Sequence, residues 1–242
     1  MKLLIVRHAD PDYSIDSLTE TGWEEARLLA ERLSRLEVKG FYVSPLGRAK
    51  DTASLTLKKM GRTAVEYAWL REFSARIDKP GKTESNSVWD WLPADWTQDE
   101  RYFDRTAWAS TELMMAGQVQ EEADWVFREF DQFLAGHGYL REGDYYRVQA
   151  ANEDTLVLFC HFGLECILLS RLLHVSPMVL WHGMCAAPSS VTTVVTEERR
   201  QGIAGFRMSA FGDTSHLYAG GREPSFAARF CEIFDRQDQR HD

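Results

Sequence analysis

The segment KLLIVRHADPDY, residues 2–13, begins with an apolar run that ends abruptly on a cation and an imidazole. The residues from Leu3 to Val6 are all aliphatic, and Arg7 and His8 follow directly. A short, continuously apolar run is typical of a strand buried on both faces of a parallel sheet. The segment therefore predicts an α/β fold whose first strand delivers Arg7 and His8 at its end.

A second segment, TLVLFCHFG, repeats this pattern late in the chain. Its apolar run, Leu156 to Phe159, is followed by Cys160 and His161, and then by an apolar helical stretch. Ligands of open α/β sheets bind outside the carboxyl ends of the strands. If the two strands are parallel neighbours, we expect His8 and His161 to project into one crevice.

The opening of the chain alternates strand, helix, strand and helix, which predicts a three-layer α/β/α sandwich with a mostly parallel central sheet. The second predicted strand, GFYVS, leads into SPLGRAKDTA, where Ser44 and Pro45 suit a helix start and Arg48 falls in the first turn. Residues 73–151 contain no comparable buried strand. We therefore expect one domain over residues 1–242, with an insert at about 73–151 that forms a lid over the site.

The composition excludes several classes of protein. The 242-residue chain carries a formal net charge of −9 and has no long basic run, which disfavours a nucleic-acid partner. No stretch approaches the roughly 18 apolar residues of a membrane span. The four cysteines form no C-x-x-C pair, which favours reduced thiols in a cytoplasmic protein. A homodimer is the oligomer expected, because homodimers are the most common soluble oligomers.

The predicted crevice suits phosphoryl chemistry. Arg7 and Arg48, together with two helix starts, would form a site for an anion, and the guanidinium fork matches phosphoryl oxygens. A neutral imidazole is a competent nucleophile, and nearby cations offset the repulsion between it and a negatively charged phosphoryl group. The pattern therefore predicts a site that binds phosphate and attacks phosphorus.

These residues resemble the motifs of the histidine phosphatase superfamily, also called the phosphoglycerate mutase-like family. Its Arg-His-Gly signature is matched by RHA, with Ala9 in place of the glycine. Its S-x-L-x-R-A-x-x-T-A motif is matched by SPLGRAKDTA, its acidic residue by Glu72 in LREF, and its final histidine by His161 in CHFG. The four motifs occur in the family order.

The resemblance implies a role for each of these residues. His8 would be the nucleophile that becomes phosphohistidine, while Arg7, Arg48 and His161 would hold the phosphoryl oxygens. Glu72 would protonate the leaving oxygen and then activate water. No metal and no cofactor is implied.

Further residues are expected to contact the substrate, namely Ser14, Phe162 and Gly163. Many family members carry a threonine and an asparagine where this chain has Pro11 and Ser14, and only Ser14 keeps a side-chain donor. The roles of Asp10 and His216 stay open. The tryptophans Trp89, Trp91 and Trp96 would either line the lid or form the insert's own small core.

The function expected is a histidine acid-type phosphatase, a phosphoric monoester hydrolase that acts on a small phosphorylated metabolite. A cofactor-dependent phosphoglycerate mutase is the alternative, and a non-catalytic phosphate-binding module is a second one. A mutase needs basic residues in the insert to hold the substrate carboxylate, but residues 84–98 contain no Lys or Arg. The sequence therefore favours the phosphatase.

Overall fold

The computed structural model describes residues 1–241 and contains a central eight-stranded sheet with helices packed on it. The strands are β1 (Lys2–Arg7), β2 (Pro11–Asp12), β3 (Ser17–Leu18), β4 (Gly40–Val43), β5 (Val65–Glu66), β6 (Arg76–Ile77), β7 (Asn86–Ser87), β8 (Tyr139–Glu142), β9 (Tyr145–Val148), β10 (Thr155–Cys160), β11 (Val191–Arg200) and β12 (Ile203–Asp213). The α-helices are α1 (Glu20–Leu33), α2 (Gly47–Met60), α3 (Pro93–Trp96), α4 (Glu112–Ala116), α5 (Val119–Gly136), α6 (Phe162–Leu173), α7 (Pro177–Gly183) and α8 (Ser215–Ala219). Short 3₁₀ helices cover Ala68–Leu70, Glu100–Phe103 and Phe226–Ala228.

The central sheet has the strand order β5-β4-β10-β1-β11-β12-β9-β8. Strands β5, β4, β10 and β1 are mutually parallel, whereas every pair from β1 to β8 along that order is antiparallel. The predicted α/β class is confirmed. The sheet is parallel in the half that carries the predicted site, and the antiparallel half comes from a late hairpin and from the end of the predicted insert.

The apolar strands are buried on both faces because successive side chains point to opposite sides of a sheet. In β1, Leu3 and Ile5 belong to the core beneath α5 and α6, whereas Leu4 and Val6 belong to the core beneath α1 and α2. One continuous run of aliphatic residues therefore fills both cores at once, which gives the three layers.

The predicted insert is not uniform in structure. Its first part, from Phe73 to Ala116, contains only short elements, including the small hairpin β6–β7. Its last part contains α5 and the hairpin β8–β9, and β9 pairs with β12 so that the hairpin extends the central sheet.

Within residues 1–241, no helix combines the length and apolar character that crossing a bilayer requires.

The start of α2 differs from the sequence prediction. The helix begins at Gly47, and its N-cap residue, Leu46, has no side chain that could accept a capping hydrogen bond. The Ser44 hydroxyl accepts a hydrogen bond from the Leu46 N–H at 3.2 Å instead, within the turn before the helix. Ser44, which was expected to cap the helix, therefore keeps its hydroxyl proton available for a hydrogen bond to a neighbouring group.

Leu158→Ala tests the central position of β10. Leu158 is fully buried, and its truncation should lower the free energy of unfolding by about 2–5 kcal/mol because a cavity remains between the sheet and the helices. Leu140→Ala on β8, where the side chain is 39% exposed, should cost about 1 kcal/mol or less. Urea denaturation measures both, and equal losses would contradict this placement of the core.

Candidate active site

The two predicted histidines lie side by side at the carboxyl ends of β1 and β10. Their ring centroids are 5.2 Å apart, and the ring planes are tilted by 56°. Both side chains are almost completely buried. The backbone N–H of His8 donates to the Cys160 carbonyl at 2.9 Å, which ties the end of one strand to the end of the other.

The His8 ring is oriented by its own backbone neighbourhood. Its Nδ1 lies 2.8 Å from the Ala9 carbonyl oxygen. Because a carbonyl can only accept, the ring proton is on Nδ1, and the lone pair is on Nε2. Burial, reinforced by the charge of Arg7, lowers the pKa of His8 to about 3, so the ring stays neutral. A neutral imidazole with an oriented lone pair is the form that a nucleophile needs.

The Ala9 position departs from the family glycine without strain. Ala9 is absent from the residues with positive φ, and its N–H donates to the Thr52 hydroxyl at 2.9 Å. Thr52 lies on α2, within the same segment as Arg48. The first two sequence motifs are therefore joined by a direct hydrogen bond.

His161 is positioned by Ser44, a residue whose role in the site the sequence analysis missed. The Ser44 hydroxyl lies 2.8 Å from His161 Nε2, and it already accepts from the Leu46 N–H. When the hydroxyl donates to Nε2, the His161 proton lies on Nδ1, which has no partner within residues 1–241. That N–H is then available to an incoming oxygen. Burial and the nearby His8 lower the pKa of His161 well below its usual value.

Arg7 belongs to the same pocket. One of its terminal nitrogens donates to the Ala186 carbonyl, and its guanidinium lies 5.7 Å from the centroid of the Phe162 ring. Its Nε is buried and makes no hydrogen bond within the described chain. A guanidinium anchored at one end and left with an unpaired buried donor is suited to an anionic ligand.

Arg48 is held by Asp16, an acidic residue that the sequence analysis did not single out. Asp16 accepts from Arg48 Nη1 at 2.6 Å and from the Gly47 N–H at 2.7 Å. A side chain at Gly47 would collide with Asp16, because its Cβ would lie 2.1 Å from the Asp16 carbonyl oxygen. The glycine therefore permits the close approach that brings this carboxylate onto the start of α2.

Glu72 reaches the site from the loop after the first 3₁₀ helix. Its Oε1 accepts from the backbone N–H groups of Phe73 and Leu164, both at 2.9 Å. Burial raises the pKa of Glu72, although these two hydrogen bonds and the arginines act in the opposite direction. A carboxyl held by one oxygen and biased toward its protonated form can serve as a general acid.

Gly163 leaves room for Glu72. A Cβ at this position would lie 2.8 Å from Glu72 Oε1 and 2.6 Å from Trp89. The Trp181 indole N–H donates to the Gly163 carbonyl at 3.0 Å, so aromatic residues frame this turn. Trp89 lies against Gly163 and Trp91 lines an adjoining cavity, whereas Trp96 is buried against Phe103 in the insert.

Ser14 is placed differently from the other predicted residues. It is exposed, and both its backbone N–H and its hydroxyl bond to the Asp12 carboxylate. The structure brings His8, His161 and the arginines together but gives Ser14 a local role in a turn. Its contact with substrate stays a prediction.

Asp10 and His216 support the site from behind. Asp10 accepts from the hydroxyls of Thr19 and Ser225 through its two carboxylate oxygens, at 2.7 and 2.9 Å. His216 Nε2 lies 3.1 Å from the Ser189 hydroxyl, and the Ser189 N–H donates to the His8 carbonyl at 3.0 Å. Both residues therefore hold backbone near His8, and neither is among the groups that face the two imidazoles.

The polar C-terminal segment, Ser225–His241, is held against the predicted insert. Arg240 pairs with Asp90 of that insert at 2.9 Å. Residues of this segment also form one wall of a cavity that contains Arg7. In the described part of the chain, no three His, Cys, Asp or Glu side chains are arranged to hold a metal ion.

Comparisons with known proteins agree with this geometry. The family model of the histidine phosphatase superfamily (branch 1) matches residues 3–137. A phosphoserine phosphatase mutant from Entamoeba histolytica, solved with phosphoserine, is 18% identical and has a TM-score of 0.54, covering 89% of this chain and 98% of its own. Mycobacterial glucosyl-3-phosphoglycerate phosphatase is 17% identical with a TM-score of 0.56, covering 87% and 98%. Bacillus stearothermophilus YhfR is 20% identical with a TM-score of 0.55, covering 89% and 98%. These likenesses show a shared fold, and no curated protein sequence matches the chain.

A second buried carboxyl, that of Glu165, lies behind the site on the first turn of α6. Neither of its oxygens makes a well-formed hydrogen bond within residues 1–241, although the Thr192 hydroxyl lowers its pKa somewhat. Burial dominates and raises the pKa of Glu165 to about 7, with Arg7 opposing the shift and Glu72 adding to it. The folded protein therefore favours the protonated form.

Glu165→Gln should change how stability depends on pH. The pKa of Glu165 is about 7 in the folded protein and 4.5 in the unfolded chain. Its contribution to stability is therefore fully present below pH 4.5 and is lost as pH rises through about 7. Urea denaturation from pH 4 to pH 8 should show the variant gaining about 3 kcal/mol relative to the wild type across that window. Glu223→Gln, at an exposed position, should follow the wild-type curve, and a Glu165→Gln curve parallel to wild type would contradict the burial argument.

Proposed function

Because the chain belongs to the histidine phosphatase superfamily, we propose that it hydrolyses small phosphate monoesters through a phosphohistidine intermediate. The observation that carries this proposal is the pair of adjacent, buried, neutral imidazoles, of which His8 has Nε2 free. Arg7 and Arg48, each with an unpaired buried Nε, lie at the same pocket. The proposed enzyme is a phosphoric monoester hydrolase of the histidine acid type.

In the first step, His8 Nε2 attacks phosphorus and forms a P–N bond while the P–O bond to the leaving group breaks. Glu72 donates its proton to the leaving oxygen, which departs as an alcohol. Arg7, Arg48 and His161 Nδ1–H stabilise the charge on the transferring phosphoryl oxygens. The raised pKa of Glu72 supports this role, since the carboxyl must hold a proton near neutral pH.

In the second step, ionised Glu72 accepts a proton from water, and the water oxygen attacks phosphorus as the P–N bond breaks. Inorganic phosphate forms, His8 returns to its neutral state and Glu72 recovers its proton. The two steps use the same residues in reverse protonation states, as general acid–base catalysis requires.

The substrate class is proposed from the neighbours and from the insert. Two of the structural neighbours are named as phosphatases of phosphoserine and glucosyl-3-phosphoglycerate, which are small phosphorylated metabolites. The mutase alternative would need cations in the insert, and residues 84–98 have none. The ammonium of Lys79, a buried cation of the insert, donates to the Trp89 carbonyl. These observations favour hydrolysis over transfer to a sugar acid.

The cellular setting is part of the same proposal. The four cysteines are all unpaired, and two of them are buried in the core. Unpaired thiols suit a reducing compartment, so we place the protein in the cytoplasm. The mechanism calls for no metal ion, because the arginines supply the positive charge.

His8→Ala tests the nucleophile. With substrate labelled in its phosphoryl group, a rapid quench of the wild type should trap a protein-bound label that is acid-labile and stable to base, as a phosphoramidate is. The variant should lose both label and turnover. His161→Ala should turn over much more slowly yet still take up label, because His161 is assigned to charge stabilisation. Labelling of the His8 variant but not of the His161 variant would reverse the two roles.

Glu72→Gln tests the general acid. Loss of proton transfer should slow turnover of an alkyl phosphate by roughly 10²–10⁴. An aryl phosphate should be affected much less, because its leaving oxygen needs little protonation. Steady-state kinetics on the two substrates provide the internal control. An equal loss on both would remove Glu72 from the leaving-group role.

A further inference from the structure

A cavity of about 450 Å³ adjoins the phosphoryl site, and four aromatic side chains from different parts of the chain line it. Arg7 and Phe162, which adjoin His8 and His161 in the sequence, line it together with Trp91, Trp181 and Phe230. Its size falls within the range of small-molecule sites, about 300–1,000 Å³. Arg7 lies beside the two imidazoles and also lines this cavity. A phosphoryl group bound at the imidazoles would therefore direct its ester substituent toward the cavity.

Three separate parts of the chain build the cavity. The insert contributes Trp91, α7 contributes Trp181 and His182, and the C-terminal segment contributes Phe230. The C-terminal segment is held at one end by the bond from Ser225 to Asp10, and at the other by the Arg240–Asp90 ion pair. The Arg240 guanidinium also lies 4.1 Å from the centroid of the Phe230 ring, which fixes that ring in place. The position of Phe230 in the cavity wall is therefore fixed by specific contacts of the C-terminal segment.

The basic residues that line this cavity, other than Arg7, already have partners within the chain. His182 has both nitrogens engaged, Nδ1 with the Met178 carbonyl and Nε2 with the Trp91 N–H, and burial lowers its pKa, so the ring is neutral. Arg229 pairs with Glu232. Among the lining residues described, only Arg7 keeps an unpaired buried cationic donor.

Beyond Arg7, a substituent that carries a carboxylate would meet the carboxylate of Asp90 and an Arg229 that already pairs with Glu232. A planar apolar group would instead find four aromatic side chains. Aromatic pairs gain from offset or edge contacts in addition to the apolar area that they bury. The chemistry of the walls therefore opposes a phosphorylated hydroxy acid and favours an aromatic ester group.

We propose that this cavity binds the leaving group, that it selects phosphate monoesters of alcohols bearing an aromatic ring, and that Phe230 of the C-terminal segment is a specificity-determining residue. The inference rests on the proposed function, since it assigns the substrate class of the same site.

The test compares three alkyl phosphates, so that the intrinsic reactivity of the leaving group stays similar. Ethyl phosphate has no ring, naphthylethyl phosphate carries one, and phosphoserine carries a carboxylate. The wild type should show a kcat/KM for naphthylethyl phosphate that is roughly ten to a hundred times that for ethyl phosphate, from the apolar area buried. Phosphoserine should be no better than ethyl phosphate.

Two variants locate the effect. Phe230→Ala should lower kcat/KM for naphthylethyl phosphate by roughly tenfold and leave that for ethyl phosphate within about twofold, because only the ring contact is lost. Ile233→Ala is the matched control, since Ile233 lies in the same segment but is 61% exposed and outside the cavity. Trp91→Leu, in the insert, should reproduce the selective loss from the opposite wall.

The outcomes separate the two proposals. If para-nitrophenyl phosphate is not hydrolysed in a His8-dependent way, the proposed function itself fails. If it is hydrolysed, but naphthylethyl phosphate is no better than ethyl phosphate, or Phe230→Ala and Ile233→Ala behave alike, the function stands and the aromatic selectivity is overturned. A preference for phosphoserine would likewise overturn it.

Discussion

The parallel register between β1 and β10 is the constraint on which the rest of the site depends. It pairs Val6 with Phe159 and Arg7 with Cys160, so that His8 and His161 leave the sheet at the same edge and on the same side. Side chains alternate between the two faces of a strand, and a slip of one residue would send one imidazole to the opposite face. The same slip would place the aliphatic residues of β1 in the wrong cores. Packing of the two apolar layers and alignment of the two histidines are therefore one requirement.

Burial then sets the protonation state of each group in the pocket. Removing water disfavours the charged form of any side chain, so it keeps the imidazole of His8 neutral and raises the pKa of the Glu72 carboxyl. Burial therefore has two effects that suit the proposed reaction: it leaves the His8 lone pair unprotonated, and it favours the protonated form of Glu72. The arginines stay charged when buried, because a guanidinium does not lose its proton in proteins. They therefore supply the fixed positive charge of the site.

The sequence was informative where structure is encoded locally. Buried strands appear as aliphatic runs, and the residues after them had to meet at one edge, so the α/β fold and the meeting of His8 with His161 could be predicted. The partner of Ser44 could not be, because a serine before a helix equally suits an N-cap. The hairpin β8–β9 has polar, half-exposed strands, and its place in the sheet is decided by β12, far along the chain. The polar C-terminal segment is held by Arg240 and Asp90, which lie 150 positions apart.

The Asp16 carboxylate has a consequence for the release of product. It accepts hydrogen bonds from the start of α2 and from one terminal nitrogen of Arg48, so part of the positive charge of the site is already compensated. A phosphate ion that enters must share that helix end and that arginine with a resident negative charge, which weakens its binding. In the proposed reaction, the transferring phosphoryl group is also held by its covalent bond, first to the alcohol and then to His8, whereas free phosphate has no such bond. Under the proposed mechanism, the Asp16 carboxylate would therefore limit product inhibition by inorganic phosphate.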